Sequence, residues 1–197
     1  MSIEILTPRL EQQYNEFLKS QKSSTIYYSL KYRDLISRET SSYSHYLVSK
    51  ENDKINGIFP LMIKDGPLGK IINSLPYFGS HGGIVATDTS VINEFITYYN
   101  ELLSTNNYAA SVIIENPFLK KIDYDQIKYN EIDQRVSQIT DISGDHHDLN
   151  DLLKLFHSKT RNSIRKAIKS NIEISINNKA WDFVYNTHLN NMKRLEG

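Results

Sequence analysis

Hydrophobic side chains return at helical spacing in several stretches of the chain. The dipeptide Thr7-Pro8 suits the first turn of a helix, and apolar residues then recur every three or four positions as far as Leu18. The same periodicity predicts further helices over residues 27–38, 90–104, 150–170 and 181–195. Each of these helices would bury one apolar side and expose the other.

Alternating or continuous apolar runs between these helices predict strands. The predicted strands cover residues 3–6, 45–50, 55–63, 71–75, 109–114, 135–142 and 172–176. Hairpin loops between residues 45 and 75 favour a three-stranded meander, in which Pro60 marks a bulge or an edge. The run at 109–114 is nearly all apolar and predicts a buried central strand. This order of helices and hairpins is typical of an α+β or mixed-sheet fold.

Composition excludes several kinds of site. The 197 residues include no cysteine, which removes disulfides, thiolate nucleophiles and cysteine-based zinc sites. Basic and acidic residues balance at 23 each, so net charge gives no reason to expect nucleic-acid or membrane binding. No apolar run approaches the roughly 20 residues that span a bilayer, and the first residues lack a signal-peptide pattern. We therefore expect a cytoplasmic protein with no membrane span.

One segment departs from this charge balance. No acidic residue occurs between Leu153 and Asn171, within a predicted helix. One stripe of that helix consists of Lys154, Ser158, Arg161, Arg165 and Lys169. Arginines one turn apart can each direct two donors onto phosphate or carboxylate oxygens, so the stripe is a candidate anion clamp. The alternative is an ordinary solvated helix face.

The stretch of highest glycine density is Leu75-Pro-Tyr-Phe-Gly-Ser-His-Gly-Gly83. It has the spacing of neither a phosphate-binding P-loop nor a nucleophile elbow. It is either a turn that needs backbone freedom or a loop that lines a cleft, with Tyr77 and Phe78 offering flat surfaces. His81 has the ordinary pKa range of a general base, although a lone loop histidine is more often a hydrogen-bonding residue. The sequence contains no His-Glu-x-x-His pattern, and we predict no metal site.

The run Lys159-Thr-Arg-Asn-Ser-Ile-Arg-Lys-Ala167, followed by a short isoleucine-rich strand and a helix, resembles the Fem-like branch of the GNAT superfamily. That branch contains peptidoglycan-bridge aminoacyltransferases and related N-acyltransferases, usually built from two GNAT-like domains. The resemblance implies a mixed, largely antiparallel sheet flanked by helices. It further implies a degenerate GNAT-like domain over residues 1–145 and the opening of a second, truncated or shortened one over residues 146–197.

The resemblance also implies a function in cell-wall biogenesis. Such an enzyme would transfer an acyl or aminoacyl group to an amine of a cell-wall precursor or sugar nucleotide. Acceptor phosphates would be held by Arg161 and Arg165 with Lys159 or Lys169, and Lys31 would be a further basic contact. The loop with Tyr77, Phe78, Gly79 and His81 would border the acceptor. The resemblance assigns no catalytic residue.

The donor implied by the resemblance is acyl-CoA or aminoacyl-tRNA. The chain lacks the usual Arg/Gln-x-x-Gly-x-Gly/Ala loop of the acyl-CoA cradle, whose backbone N–H groups would face the pyrophosphate. We therefore expect no cofactor to be bound by this chain alone, and a donor only where a second domain is present.

Two further interpretations stay open. The basic helix suits a module that binds tRNA or DNA, or the chain is a non-catalytic relic of the fold that binds a partner. The last predicted helix has a wide apolar stripe that begins at Trp181, and such a surface is normally covered. We expect a second domain or a partner chain to cover it.

Overall fold

The computed structural model describes residues 2–74, 81–119, 122, 124, 126, 127, 129–136, 139, 148–173 and 175–195. Contacts between Cα atoms divide the chain into two units, Met1–Val136 and Ser137–Gly197. No helix in the described residues is both long enough and apolar enough to cross a membrane.

The strands of the first unit pair into two four-stranded sheets. They are β1 (Ser2–Ile5), β2 (Tyr43–Ser44), β3 (Leu47–Glu51), β4 (Lys54–Phe59), β5 (Met62–Gly66), β6 (Gly69–Asn73), β7 (Val85–Ala86) and β8 (Tyr108–Val112). The first sheet has the order β1-β3-β4-β7 and is antiparallel throughout. The second has the order β2-β5-β6-β8, in which β6 and β8 are parallel. With helices on these sheets, the predicted α+β class with a largely antiparallel sheet is confirmed.

The helices of the first unit begin close to the predicted positions. They are α1 (Glu11–Ser20), α2 (Leu30–Thr40) and α3 (Thr89–Thr105). The Ser29 hydroxyl accepts the Tyr32 N–H and caps α2, while the Asp88 carboxylate accepts two N–H groups at the start of α3. Thr7 precedes a 3-10 turn at Pro8–Leu10, and its side chain makes no capping hydrogen bond.

The central strands of the first sheet are buried on both faces. On one face Val48 and Ile58 join the core formed with α1 and α2. On the other face Leu47 and Phe59 join the core formed with α3. Because helices cover both faces, apolar residues occupy adjacent positions at Leu47-Val48 and Ile58-Phe59 instead of alternating with polar ones.

The predicted meander is wrong in one respect. The single strand expected at residues 55–63 is two strands, because Pro60 and Leu61 separate β4 in the first sheet from β5 in the second. Proline has no N–H to donate to a ladder, so the first sheet cannot continue through this position. The two hairpins, β3–β4 and β5–β6, therefore belong to different sheets.

The strand predicted at 109–114 forms, but not where it was expected. β8 is an edge strand paired only with β6 among the described residues, and Ala109, Ala110 and Val112 are exposed. An apolar run indicates that a strand can be buried. The position of the strand in the sheet decides whether other elements bury it. The prediction of a central buried strand was therefore wrong.

Two other predicted strands are absent from the described residues. Arg135 and Val136 have no regular structure, and most of the rest of that predicted strand lies outside the described residues. In the segment 172–176, the described residues form no ladder, and Ile172 and Ile176 are 63% and 95% exposed. A strand needs a neighbour to receive its backbone hydrogen bonds, and within the described residues this segment has none.

Burial of His45 predicts that the stability of the first unit depends on pH. Its ring is half-buried, and its Nε2 atom has no hydrogen-bond partner among the described residues. Burial lowers the pKa of His45, because the charged imidazolium loses hydration. Protonation therefore favours the unfolded chain, in which the pKa is about 6.5. The free energy of unfolding should be highest above that pH and should decline as pH falls toward the folded-state pKa.

We expect His45→Gln to flatten this decline when denaturant unfolding is measured between pH 5 and pH 8. The other histidines are the same in both proteins, so the difference between the two pH profiles isolates His45. Parallel profiles would contradict the assignment.

Candidate functional site

The basic segment of the second unit contains a break that the sequence did not predict. The single helix expected over residues 150–170 is α4 (Leu149–Lys154) followed by α5 (Ser158–Lys169), and the prediction of one helix was wrong. The Phe156 N–H donates to the Leu153 carbonyl at 3.3 Å, which closes the last turn of α4. The His157 Nδ1 atom accepts the Lys159 N–H at 3.4 Å and starts α5.

The break places cations from both helices around one cleft of about 360 Å³. The cleft is lined by Asn150, Leu153, Lys154, Arg161 and Arg165, which we call the basic cleft. Arg161 is half-buried, and its Nη1 atom donates to the Phe156 carbonyl at 2.8 Å. A guanidinium has five N–H donors, so this bond fixes the group and leaves donors for an anion.

The arginines of the basic cleft are not neutralised by acidic residues of the described chain. Neither Arg161 nor Arg165 lies within ion-pair distance of a described carboxylate. Lys154 differs, because its Nζ atom contacts the Asp151 carboxylate at 2.7 Å. The hydrogen bond and the charge of Asp151 raise the pKa of Lys154. The basic cleft therefore contains two guanidinium groups that pair with no described carboxylate and one ammonium group that is already paired.

The remaining basic candidates lie elsewhere. Lys159 and Lys169 are exposed on α5 but do not line the basic cleft. Lys31 is exposed on α2 in the first unit and does not line either cleft described here. Their assignment to acceptor binding stays a prediction.

The glycine-rich loop of the first unit borders a second cleft, of about 260 Å³. This loop cleft is lined by Gly82, Ile84, Glu115, Asn116, Pro117, Leu119, Ile122 and Tyr124. Gly83 has a φ of +80°, and a Cβ atom there would lie 3.1 Å from the Ile114 carbonyl oxygen. Backbone freedom is therefore required at Gly83, whereas Gly82 lines a cleft. Tyr77, Phe78 and Gly79 lie outside the described residues.

Buried tyrosines hold the glycine-rich loop. The Tyr28 hydroxyl donates a short hydrogen bond to the Gly82 carbonyl, and the Tyr14 hydroxyl donates to the Tyr28 carbonyl at 2.7 Å. Nearby, the Asn116 Nδ2 atom donates to the Ser23 carbonyl at 2.8 Å, which ties the lining of the cleft to the segment between α1 and α2. Burial raises the pKa of both tyrosines, so they remain neutral donors.

Polar groups of the loop cleft are few. Tyr124 is largely buried, and burial followed by the nearby Glu115 charge raises the pKa of its phenol. His81 is half-buried, and its ring lies 5.7 Å from that of Tyr27 and 5.6 Å from that of Phe118, measured between centroids. These ring contacts favour a packing role for His81, which adjoins the cleft but does not line it.

Comparisons with known proteins find similarity of structure only. No protein-family profile matches the sequence, and no curated protein matches it significantly. FemX is 16% identical with a TM-score of 0.43, and the match covers 55% of this chain and 25% of FemX. The ribosomal-protein-alanine N-acetyltransferase of Brucella melitensis biovar Abortus 2308 is 12% identical with a TM-score of 0.45, covering 71% of this chain and 100% of that protein. A protein described as a probable acetyltransferase is 14% identical with a TM-score of 0.40, covering 72% of this chain and 99% of that one. These TM-scores assign neither a family nor a function.

Several lining residues were not singled out as site candidates from the sequence. Lys154 belongs to the predicted basic stripe, and it lines one cleft with the two arginines. Asn150 gave no signal of its own. In the loop cleft, Glu115 and Asn116 follow β8 and meet Gly82 only through the tertiary fold. The sequence signal for these two residues is a polar pair that follows a predicted strand and precedes Pro117.

Proposed function

We propose that this chain is part of a Fem-like N-acyltransferase that transfers an acyl or aminoacyl group to an amine of a cell-wall precursor or sugar nucleotide. Residues 1–145 would form a degenerate GNAT-like domain, and residues 146–197 would open a second one. The donor, acyl-CoA or aminoacyl-tRNA, would require that second domain to be complete. A cytoplasmic location follows from these substrates.

The observation that carries the proposal is the basic cleft. Arg161 and Arg165 lie one helical turn apart, line the same cleft and are not neutralised by any described carboxylate. The Cα atoms of residues four apart are separated by about 6 Å along a helix axis, so two such arginines can direct their guanidinium groups toward the oxygens of one phosphate or diphosphate. Binding of a phosphorylated acceptor in the cleft would fix the position of its amine. Such positioning contributes much of the rate acceleration in acyl transfer.

Binding of a sugar nucleotide tests the proposal. We expect isothermal titration of the full chain with UDP-N-acetylglucosamine to show binding, and Arg161→Ala or Arg165→Ala to weaken it about 10- to 100-fold, since a charge-assisted hydrogen bond contributes roughly 1.5–3 kcal/mol. The matched control is Lys166→Ala, which removes one positive charge from the same helix outside the basic cleft. Its affinity should stay within about twofold of the original.

Two results would contradict the proposal. One is the absence of binding by the original chain. The other is an equal loss in all three variants, accompanied by affinity for single-stranded RNA or duplex DNA that falls steeply with salt, because that pattern indicates non-specific attraction of a polyanion. The second result would favour the nucleic-acid alternative.

A further inference from the structure

We propose that α6 (Trp181–Arg194) is a self-association helix, which pairs with α6 of a second copy of this chain in antiparallel orientation. The sequence predicts a wide apolar stripe on this helix, and no described residue of α6 is buried. A second copy would cover the stripe. This pairing does not depend on anion binding at the basic cleft.

The apolar side of α6 has the spacing of a helix-pairing seam. Its residues are Trp181, Val184, Tyr185, His188, Met192 and Leu195, the last of which caps the helix. Trp181, His188 and Leu195 recur at every seventh position, which is the repeat that keeps one side of a helix against a neighbouring helix. Trp181, Tyr185 and Leu195 are 75%, 65% and 70% exposed. Exposed apolar surface of this kind marks a site of association.

Two charges beside the stripe are placed to contact a partner. Asp182 and Lys193 lie on the same side of the helix, because eleven residues are close to three full turns. Neither lies within ion-pair distance of an opposite charge among the described residues. Both are exposed, so each can meet a charge on another molecule.

These charges make α6 complementary to itself in one orientation only. A parallel pair would set Asp182 against Asp182 and Lys193 against Lys193, and like charges repel. In an antiparallel pair centred on His188, Asp182 of one copy lies across from Lys193 of the other. The two-fold axis of such a pair makes this contact twice. The charges therefore favour a second copy in antiparallel orientation.

The polar side of α6 does not suit a membrane surface. That side carries the uncharged residues Asn186, Thr187 and Asn190. A helix that lies on anionic lipid usually carries lysine and arginine along its polar side. The basic residues of α6 are confined to its last turn, at Lys193 and Arg194. A protein partner therefore fits this helix better than a bilayer does.

Self-association should be measurable by sedimentation velocity of the full chain. Two helices of this length bury less than the roughly 1,200 Å² of a stable interface, so we expect a reversible dimer with a dissociation constant on the order of 10 μM. The dimer fraction should rise as the protein concentration is increased from well below this constant to well above it.

Substitutions on opposite sides of α6 test the stripe. We expect Tyr185→Glu to raise the dissociation constant at least about tenfold, since it places a charge in the apolar seam of each copy. Phe183→Glu is the matched control, because Phe183 is 74% exposed but lies on the opposite side of the same helix. It should change the constant by less than about threefold. Circular dichroism should show equal helix content in the two variants.

Disulfide cross-linking tests the orientation, because the chain has no cysteine of its own. Position 188 lies at the two-fold axis, so His188→Cys should form a covalent dimer under mild oxidation. Trp181→Cys alone should not, since the two positions 181 of an antiparallel pair lie about 20 Å apart and a disulfide needs Cα atoms within about 7 Å. An equal mixture of Trp181→Cys and Leu195→Cys should cross-link, because position 181 of one copy then faces position 195 of the other.

Three results would overturn the antiparallel pair. One is a chain that stays monomeric at the highest concentration, and binding of that monomer to vesicles of anionic phospholipid would assign the stripe to a membrane instead. Another is an equal loss of dimer in Tyr185→Glu and Phe183→Glu, which would place the contact elsewhere. The third is cross-linking of Trp181→Cys alone, which would show a parallel pair.

Discussion

Replacing Phe95 by alanine should lower the free energy of unfolding of the first unit by about 3–5 kcal/mol. Phe95 is fully buried on α3, where its ring meets that of Phe59 edge-on with centroids 6.0 Å apart. Removing the ring loses its burial and leaves a cavity, because β4 and α3 are each held by other contacts and cannot close over it. Guanidinium chloride unfolding, followed by far-ultraviolet circular dichroism, measures the change.

Asn93→Ala is the control for this experiment, since Asn93 is exposed on the same helix. We expect it to change the free energy of unfolding by no more than about 0.5 kcal/mol. A Phe95→Ala effect as small as that of the control would mean that α3 is not packed on the sheet as described.

Gly57→Ala should lower the free energy of unfolding by about 1–3 kcal/mol although it adds only a methyl group. A Cβ atom at Gly57 would lie 2.6 Å from the Val91 Cγ1 atom and 2.8 Å from the Phe95 ring. Both neighbours are fully buried, so relief requires α3 to move away from β4. The same denaturant unfolding measures the loss.

The double variant Gly57→Ala/Val91→Ala tests the cause. Shortening Val91 removes the nearest clashing atom, so the double variant should be less destabilised than the sum of the two single variants. Additive losses would show that crowding against Val91 is not the reason for glycine at this position.

The helices of the first unit could be predicted because each helix buries the apolar side chains along one of its sides. Tyr14, Phe17 and Leu18 are buried on α1 at the expected spacing, and Phe95 and Tyr99 are buried on α3. The division of the sheet could not be predicted in the same way. The residues on either side of Pro60 are apolar in both strands, so the pattern does not change where the chain leaves one sheet for the other. Only the missing N–H of Pro60 indicated an interruption.

Site residues that are close in sequence could be grouped from the sequence, whereas those that are far apart in sequence could not. Arg161 and Arg165 could be paired from spacing alone, because four residues return to the same helix face. Lys154 could likewise be placed on that stripe, whereas the break before α5 could not be predicted, because the apolar periodicity conceals it. The loop cleft required Gly82, Asn116 and Tyr124 to meet through tertiary contacts, and no local pattern specifies such a meeting.

The connection between β4 and β5 ties the two sheets of the first unit together. Only Pro60 and Leu61 lie between the two strands, and Leu61 is fully buried while its carbonyl accepts the His45 N–H at 2.7 Å. Sliding one sheet against the other would pull this leucine into water and break that bond. A change of register in one sheet should therefore disturb the register of the other.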